Sequence, residues 1–343
     1  MSTNLSRRRF IGRTSVGLGA GSLALPLALH GNHDTAGLNQ PPHAVWIGTV
    51  SSEGLSAGNP SEMIGNMLHI LETMVPFQLD ILCLPETFAF NDIQNVMQAR
   101  EAAAAFPGTL FEPLMAFARK HKCYLICPTY LLKNESVYNA AVLIDRKGEI
   151  AGEYLKMHPA ASEIEAGIRP GPLDASVFET DFGKIGIQIC YDVKWDDGWT
   201  RLKEQGAQFI FWPSAYPGGK ELYSKAWRHQ VYVVSSTRKG ISRICDISGE
   251  EISRTGFWQP SFTCSPVNPE KVMVPTWPYI SEIPSIIQKY NRKVSIRFFD
   301  EEEWTIIESL DSSLKIAGIL SEFGLRTQDR VISDIDKIQK MKR

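Results

Sequence analysis

From position 43 onward the chain alternates between short continuous apolar runs and longer stretches in which apolar residues recur every three or four positions. Continuous runs such as 79–84 (LDILCL) and 123–127 (CYLIC) predict strands buried on both faces. Further strands are expected at 44–50, 207–212 and 231–235. Met63, Ile64, Met67, Leu68, Leu71 and Met74 fall on one face of a helix, with Ser61 as its expected cap. Stretches 110–121, 198–205 and 221–229 predict three more helices. Hairpins are interspersed: 137–144 with 149–155, 176–180 with 184–190, and 242–247 with a run ending at Arg254. Strand–helix alternation with paired strands between is an α/β pattern with mixed sheets. From Tyr290 the character changes to a charged stretch that includes Asp300-Glu301-Glu302-Glu303 and reads as a strand followed by helices. The expected organisation is one main domain over 43–289 and a C-terminal extension over 290–343.

The first residues read as an address. Arg7, Arg8, Arg9 and Arg13 precede any acid, the first being Asp34, and an apolar stretch rich in Gly and Ala follows over 14–29. That stretch falls short of the ~20 residues a membrane span needs. A basic segment followed by a short apolar one is the form of an export signal. Ser6-Arg7-Arg8-Arg9-Phe10-Ile11 resembles the twin-arginine consensus. Residues 1–31 are therefore expected to be a twin-arginine-type signal and 32–42 a linker. The export machinery is then a partner. The destination is periplasmic or extracellular, with a membrane tether if the signal is uncleaved.

Composition narrows the class. Lys plus Arg number 36 and Asp plus Glu 38, for a formal charge of -2. A protein whose main task is gripping nucleic acid or anionic membrane needs a basic excess, so neither is an expected partner. Six Cys in 343 residues do not make a disulfide scaffold. Cys123 and Cys127 would share one strand face, but no second ligand pair follows, so no metal site is expected.

Three apolar strands end in a residue able to do chemistry: Glu86 after LDILCLPE, Lys156 after GEYLK, and Cys190 after GKIGIQIC. Sites in α/β sheets collect at the carboxyl ends of strands. A thiolate is a nucleophile, an ammonium beside it would stabilise it, and a carboxylate within reach would accept the thiol proton. Taken singly, each residue also reads blandly, as a surface turn, a solvated strand end and an inert core thiol. His158 offers a second reading, a Cys–His pair.

The flanking residues decide between these readings. Leu84-Pro85-Glu86-Thr87-Phe88, Lys156-Met157-His158-Pro159 and Gly186-Ile187-Gln188-Ile189-Cys190-Tyr191-Asp192 resemble the three motifs of the nitrilase superfamily, the carbon–nitrogen hydrolases. Val137-Tyr138-Asn139-Ala140-Ala141, Pro170-Gly171, Trp212-Pro213-Ser214-Ala215 and Trp227-Arg228-His229 are similar to its supporting segments, and the likeness spans roughly 43–260. The resemblance implies a four-layer α-β-β-α sandwich and homodimers, or higher homo-oligomers, paired through helices. It implies Glu86 as general base, Lys156 as stabiliser of the tetrahedral intermediate and Cys190 as nucleophile. It also implies a second Glu that orients the lysine; Glu163 and Glu165 both lie in that window, and the spacing favours Glu163. His158 then becomes a structural neighbour. Tyr191, Trp195 and Tyr216, beside strand ends, are expected to line the substrate pocket. The usual Arg-Phe-Pro-Glu after the third motif is replaced by Lys194-Trp195-Asp196-Asp197, and the chain beyond Gln259 matches no branch. The expectation is an exported amidase that works through a Cys thioester without cofactor or metal. Nitrile hydrolysis by the same trio, or a non-catalytic scaffold on this fold, are the alternatives.

Overall fold

The computed structural model describes residues 43–343 except positions 96, 107, 257 and 259. The signal and linker expected over 1–42 lie outside the described residues. The described residues form one compact unit.

The first half of the chain supplies β1 (Val45–Val50), α1 (Pro60–Met74), β2 (Ile81–Cys83), α2 (Ala99–Ala104), α3 (Glu112–His121), β3 (Tyr124–Lys133), β4 (Ser136–Ile144), β5 (Ile150–Leu155) and the short α4 (Ala161–Glu165). The second supplies β6 (Phe178–Thr180), β7 (Gly183–Ile187), α5 (Asp197–Glu204), β8 (Phe209–Ser214), α6 (Lys220–His229), β9 (Tyr232–Thr237), β10 (Arg243–Cys245) and β11 (Glu251–Arg254). Next, β12 (Phe262–Val267) returns to the first sheet. The sheets run β12-β1-β2-β3-β4-β5 and β11-β10-β9-β8-β7-β6. In each, three central strands are parallel (β1, β2, β3; β7, β8, β9) and the outer pairings are antiparallel.

Side-chain alternation stacks these sheets into layers. Ile81, Cys83, Ile126, Ala141 and Leu143 point into the core shared with the second sheet. Leu82, Leu125, Cys127, Val142 and Ile144, the residues between them, meet α1 and α3. On β1, Gly48 faces α1 so closely that a Cβ there would lie 2.6 Å from Leu79 and Leu82. On β7, a Cβ at Gly186 would lie 2.6 Å from Leu202 of α5, which leaves Ile185 and Ile187 facing the first sheet. The result is the expected four-layer α-β-β-α sandwich with mixed sheets.

Two local expectations are corrected. The cap of α1 is Asn59, not Ser61: the Asn59 side chain accepts the Glu62 backbone N–H at 3.0 Å, and Pro60, which has no N–H to satisfy, occupies the first turn. Cys190 does not end a strand. β7 stops at Ile187, and Cys190 opens a 3-10 turn, Cys190–Lys194.

The C-terminal part is more than a strand and helices. β13 (Lys271–Pro275), α7 (Ile283–Tyr290), β14 (Val294–Phe299), β15 (Trp304–Ser309), α8 (Ile316–Glu322) and α9 (Gln328–Lys342) follow one another. The strands form a third sheet in the order β13-β15-β14, so position 290 falls inside this unit. Alternation works here too. Met273 and Ile306 face the sandwich, while Val274 and Ile307 pack with Ile283, Ile286, Ile316 and Ile319. No helix among the described residues is long and apolar enough to cross a membrane.

Candidate active site

Glu86 follows β2 and is almost fully buried. Thr87, next to it, takes a left-handed backbone with φ 44°, held by Asn91, whose side-chain amide donates to the Thr87 carbonyl at 2.7 Å and to its hydroxyl at 2.8 Å. Lys156 follows β5 and is anchored by its backbone, its N–H donating to Asn139 O at 2.9 Å and its carbonyl accepting from Gly171 N–H at 2.7 Å. Its ammonium lies 2.9 Å from Glu86 Oε1 and 2.6 Å from Glu163 Oε2. Asn139, buried in β4, donates to Glu86 Oε1 at 2.8 Å and Glu163 Oε1 at 2.7 Å. Glu163 Oε2 also accepts the Ala160 N–H at 2.7 Å, which fixes it at the start of α4. The neighbouring Glu165 is exposed and outside this cluster.

One ammonium thus serves two carboxylates in a place almost closed to water. Burial by itself lowers the ammonium, but the charges of Glu86, Cys190 and Glu163 outweigh it and hold the Lys156 pKa above its ordinary value.

Cys190 stands at an elbow between β7 and the 3-10 turn, with φ 47°. A non-glycine residue in this region is strained, and such strain persists only where the surroundings impose it. Here Asp192, fully buried, accepts the Ile189 N–H at 2.8 Å, and Trp212 Nε1 donates to the Cys190 carbonyl at 2.9 Å. The thiol is half-buried and faces the Ser214 hydroxyl and the Ala215 backbone, within electrostatic reach of Glu86 and Lys156. The stabilised resting thiolate expected from the lysine is not what the structure supports. Burial first, then the Glu86 charge, push the thiol up to about 12, and Lys156 offsets only part of this. The sulfur therefore rests as a thiol beside a carboxylate.

Asp192 ties the halves of the site together. It accepts the Tyr154 hydroxyl at 2.8 Å and the His158 backbone N–H at 2.7 Å, and its Oδ1 lies 3.1 Å from His158 Nδ1. The hydrogen bond to Asp192 raises the His158 pKa, and the ring stacks on Trp195 at 4.2 Å. His158 is thereby a structural neighbour of the elbow, and Asp192 is its partner.

The three aromatics expected around the pocket separate. Tyr216 packs edge-on against Trp212, and burial, Glu221 and then Cys190 raise its hydroxyl, which places it beside the thiol. Tyr191 and Trp195 form a half-exposed edge-to-face pair at 5.5 Å on the outer side of the elbow. Trp199, Trp212 and Trp227 belong to the core or its margin. Cys123 and Cys127 are buried against α1 and α3. Among the described residues no group of three or more metal-ligating side chains exists. Asn139 and Ser214 stood in the supporting segments without a role. The signal at Asn139 is an amide within the otherwise apolar strand NAAVLI.

Comparison with known proteins adds the following. The family model described as carbon-nitrogen hydrolase matches residues 37–271. The chain is 26% identical over 208 residues to a deaminated glutathione amidase of Dictyostelium discoideum, covering 54% of this chain and 72% of that protein. It is 31% identical over 178 residues to the human deaminated glutathione amidase, covering 46% of this chain and 54% of that protein. An amidase from Nesterenkonia sp. AN1, solved with the acetamide moiety of fluoroacetamide covalently added at its active-site cysteine, superposes with a TM-score of 0.60 at 17% identity over 67% of this chain and 93% of that one. A Saccharomyces cerevisiae member of branch 10 of the nitrilase superfamily superposes with a TM-score of 0.59 at 20% identity, over 73% and 95% of the two chains.

Proposed function

Because the chain belongs to the carbon–nitrogen hydrolase family and is a hydrolase of non-peptide C–N bonds, we propose that it is an amidase whose Cys190 attacks a carboxamide, with Glu86 as proton carrier and Lys156 as charge stabiliser. The observation that carries this reading is the Lys156 ammonium bridging the buried Glu86 and the half-buried Glu163 carboxylates beside a strained cysteine elbow. The relatives named above, amidases by description, favour amides over nitriles.

The steps follow from the charge state of the site. The thiol proton passes to the Glu86 carboxylate as the sulfur–carbon bond forms, so a preformed thiolate is not required. Negative charge then develops on the former carbonyl oxygen, where Lys156 and the N–H of Tyr191, the first residue after the nucleophile, stabilise it. Collapse breaks the C–N bond, and the leaving amine takes the proton from Glu86, which leaves a thioester. Water attacks the thioester and gives a proton to Glu86. The carboxylic acid departs, and the sulfur recovers its proton. Glu163 and Asn139 are positioning residues that hold the lysine and Glu86 at fixed separation. Tyr216 forms a wall beside the sulfur, and Tyr191 with Trp195 forms the rim. The cycle calls on no cofactor and no metal.

Replacing Cys190 by Ala in the full chain is expected to lower ammonia release from small amides by at least about 10³-fold. The thermal midpoint should change little, because a half-buried thiol removed from a strained elbow leaves little packing behind. Acyl-adduct mass on intact protein, present in the wild type and missing in the variant, is the second readout. Residual turnover with a large loss of stability would remove the nucleophile assignment.

Export is also proposed, on the strength of Arg7 and Arg8 before Phe10. With both changed to Lys, the full chain should accumulate in the cytoplasmic fraction; undiminished export of that variant ends the twin-arginine reading.

A further inference from the structure

Arg238 comes directly after β9. Its backbone N–H donates to the Ser214 carbonyl at 2.9 Å, so it starts one strand away from the residue whose hydroxyl faces the Cys190 thiol. The side chain is half-buried and its Nε is closed to water, yet the guanidinium makes no hydrogen bond or ion pair with any described residue. Among the described residues no other arginine combines burial with an empty fork. Arg146 and Arg243, also withdrawn from solvent, meet Asp80 and Glu251. Arg169 and Arg201, which have no acid partner, are exposed. A charge that leaves water without gaining a partner is costly, and its presence calls for a reason.

The surroundings supply one. Arg238 lines a cavity of about 380 Å³ with Ser52, Glu53, Leu55, Asp92 and Lys239. Ser52 follows β1, its N–H donating to the Thr237 carbonyl at 3.0 Å, and Asp92 lies on the loop that follows Glu86. The cavity is therefore at the carboxyl ends of the parallel strands, the end that carries Glu86 and Ser214. The Tyr130 hydroxyl is within electrostatic reach of Arg238, Glu86 and Glu163 together. Tyr130 is in turn the cross-strand partner of Asn139, which holds both carboxylates. Charges in the cavity balance, Glu53 and Asp92 against Arg238 and Lys239, and Glu53 is taken by the Gly240 N–H. With no broad positive field, an anion is held by the fork itself, whose two parallel N–H bonds match a carboxylate. On the amidase reading, which this extends, we infer that Arg238 anchors a carboxylate at the far end of the substrate, so that the amide cleaved at Cys190 belongs to an anionic molecule. Arg238 is then a specificity-determining residue, remote from the bond that breaks.

Straight-chain amides ending in a carboxylate, a second carboxamide or an ammonium, with about two to four methylenes between the ends, test this on the full chain. At the best length, kcat/KM for the carboxylate should exceed that for the carboxamide of the same shape by about 10–100-fold. Arg238→Met should bring this ratio to about one, chiefly through KM. Arg238→Lys should keep part of it, and Arg238→Glu should turn the preference toward the ammonium. Because Arg238→Met removes an unpartnered charge, its thermal midpoint should hold or rise. A wild type indifferent to the terminal group overturns the inference, and so does a preference that survives both Arg238→Met and Arg238→Glu; the amidase reading stands in either case, since turnover continues. That reading fails by a different result, namely no turnover of any amide and no acyl adduct at Cys190. Calorimetry needs no turnover: the Cys190→Ala chain should bind the carboxylate-ended amide at least about 10-fold more tightly than Cys190→Ala with Arg238→Met. Equal binding by the two overturns the anchor on its own.

Discussion

Lys156 and Lys289 each hold glutamate in a charged hydrogen bond, one inside the sandwich and one on the C-terminal unit. Lys156 is 1% exposed and is shared between Glu86 and Glu163, both fixed further by Asn139. Lys289 is 52% exposed and meets Glu322 on the surface. Water replaces the surface partner at little cost, and salt screens the pair. In the interior no such exchange is open, and the loss of one member strands the others. The residue types are the same; the environment alone makes one pair irreplaceable and the other exchangeable with water.

The comparison breaks most sharply at Lys156. Lys156→Met leaves the buried Glu86 carboxylate facing the half-buried Glu163 carboxylate with no cation between them. It is expected to cost about 3–5 kcal/mol in urea unfolding and to abolish turnover. Adding Glu163→Gln should recover part of the stability and none of the activity, because the surplus charge is removed but the ammonium is still missing. A loss under about 1 kcal/mol for Lys156→Met would place this cluster with the surface pairs. The pH dependence has a definite sign. The Lys156 pKa is raised in the fold, so its contribution is complete below the unfolded value of about 10.4 and fades as pH climbs through the folded one. The Cys190 thiol, pushed up to about 12, acts in the same direction, since above about pH 8.5 the unfolded chain loses that proton first.

Much of this interior was readable beforehand, and the reasons are local. Strands such as β2 and β3 are continuous apolar runs that no surface element would carry. Less legible was β12, FTCSPV, an edge strand with polar and Pro positions that pairs with the distant β1. Likewise α2, AREAAA, has too little apolar contrast to show a period. In the site, the order of the motifs pointed to Glu86, Lys156 and Cys190. Sequence does not reveal the left-handed backbone at Cys190, which Asp192 and Trp212 impose from three-dimensional contact. Glu163 and Glu165 are two positions apart on a short helix and so point in different directions, and the bonds from Lys156, Asn139 and Ala160 select the former. The state of the thiol was likewise hidden, because it depends on how far burial and Glu86 together outweigh Lys156.

His229, on α6, lies between the two extremes. Its ring is buried, while Asp196, Lys225 and Arg228 beside it reach the surface to different degrees. Burial, then the Lys225 charge, lower its pKa to about 4. The folded chain keeps the ring neutral where the unfolded chain protonates it. Stability should therefore fall as pH drops from about 6.5 to about 4, by on the order of 2–3 kcal/mol. His229→Gln, which cannot charge, should flatten that limb of a urea-unfolding series taken against pH. An unchanged slope would assign the acid limb to other groups.

The smallest effect is expected where geometry looks best. Arg297 grips Glu250 with both ends of its guanidinium, one contact at 2.5 Å, yet both side chains are half exposed. Such a fork sits at the upper end of what surface pairs contribute, about 1 kcal/mol. Truncation to Ala also removes packing, because the Arg297 guanidinium lies 4.6 Å over the Phe299 ring, which in turn leans on Trp227. Arg297→Ala alone therefore overstates the ion pair. A double-mutant cycle with Glu250→Gln isolates the charge coupling, since the stacking loss is common to both backgrounds. That coupling should stay below about 1 kcal/mol at low salt and shrink further at 1 M, where the Debye length is only about 3 Å. A coupling above about 2 kcal/mol that survives high salt would mean that well-aimed surface pairs behave like the buried cluster, and the contrast between Lys156 and Lys289 would no longer follow from burial.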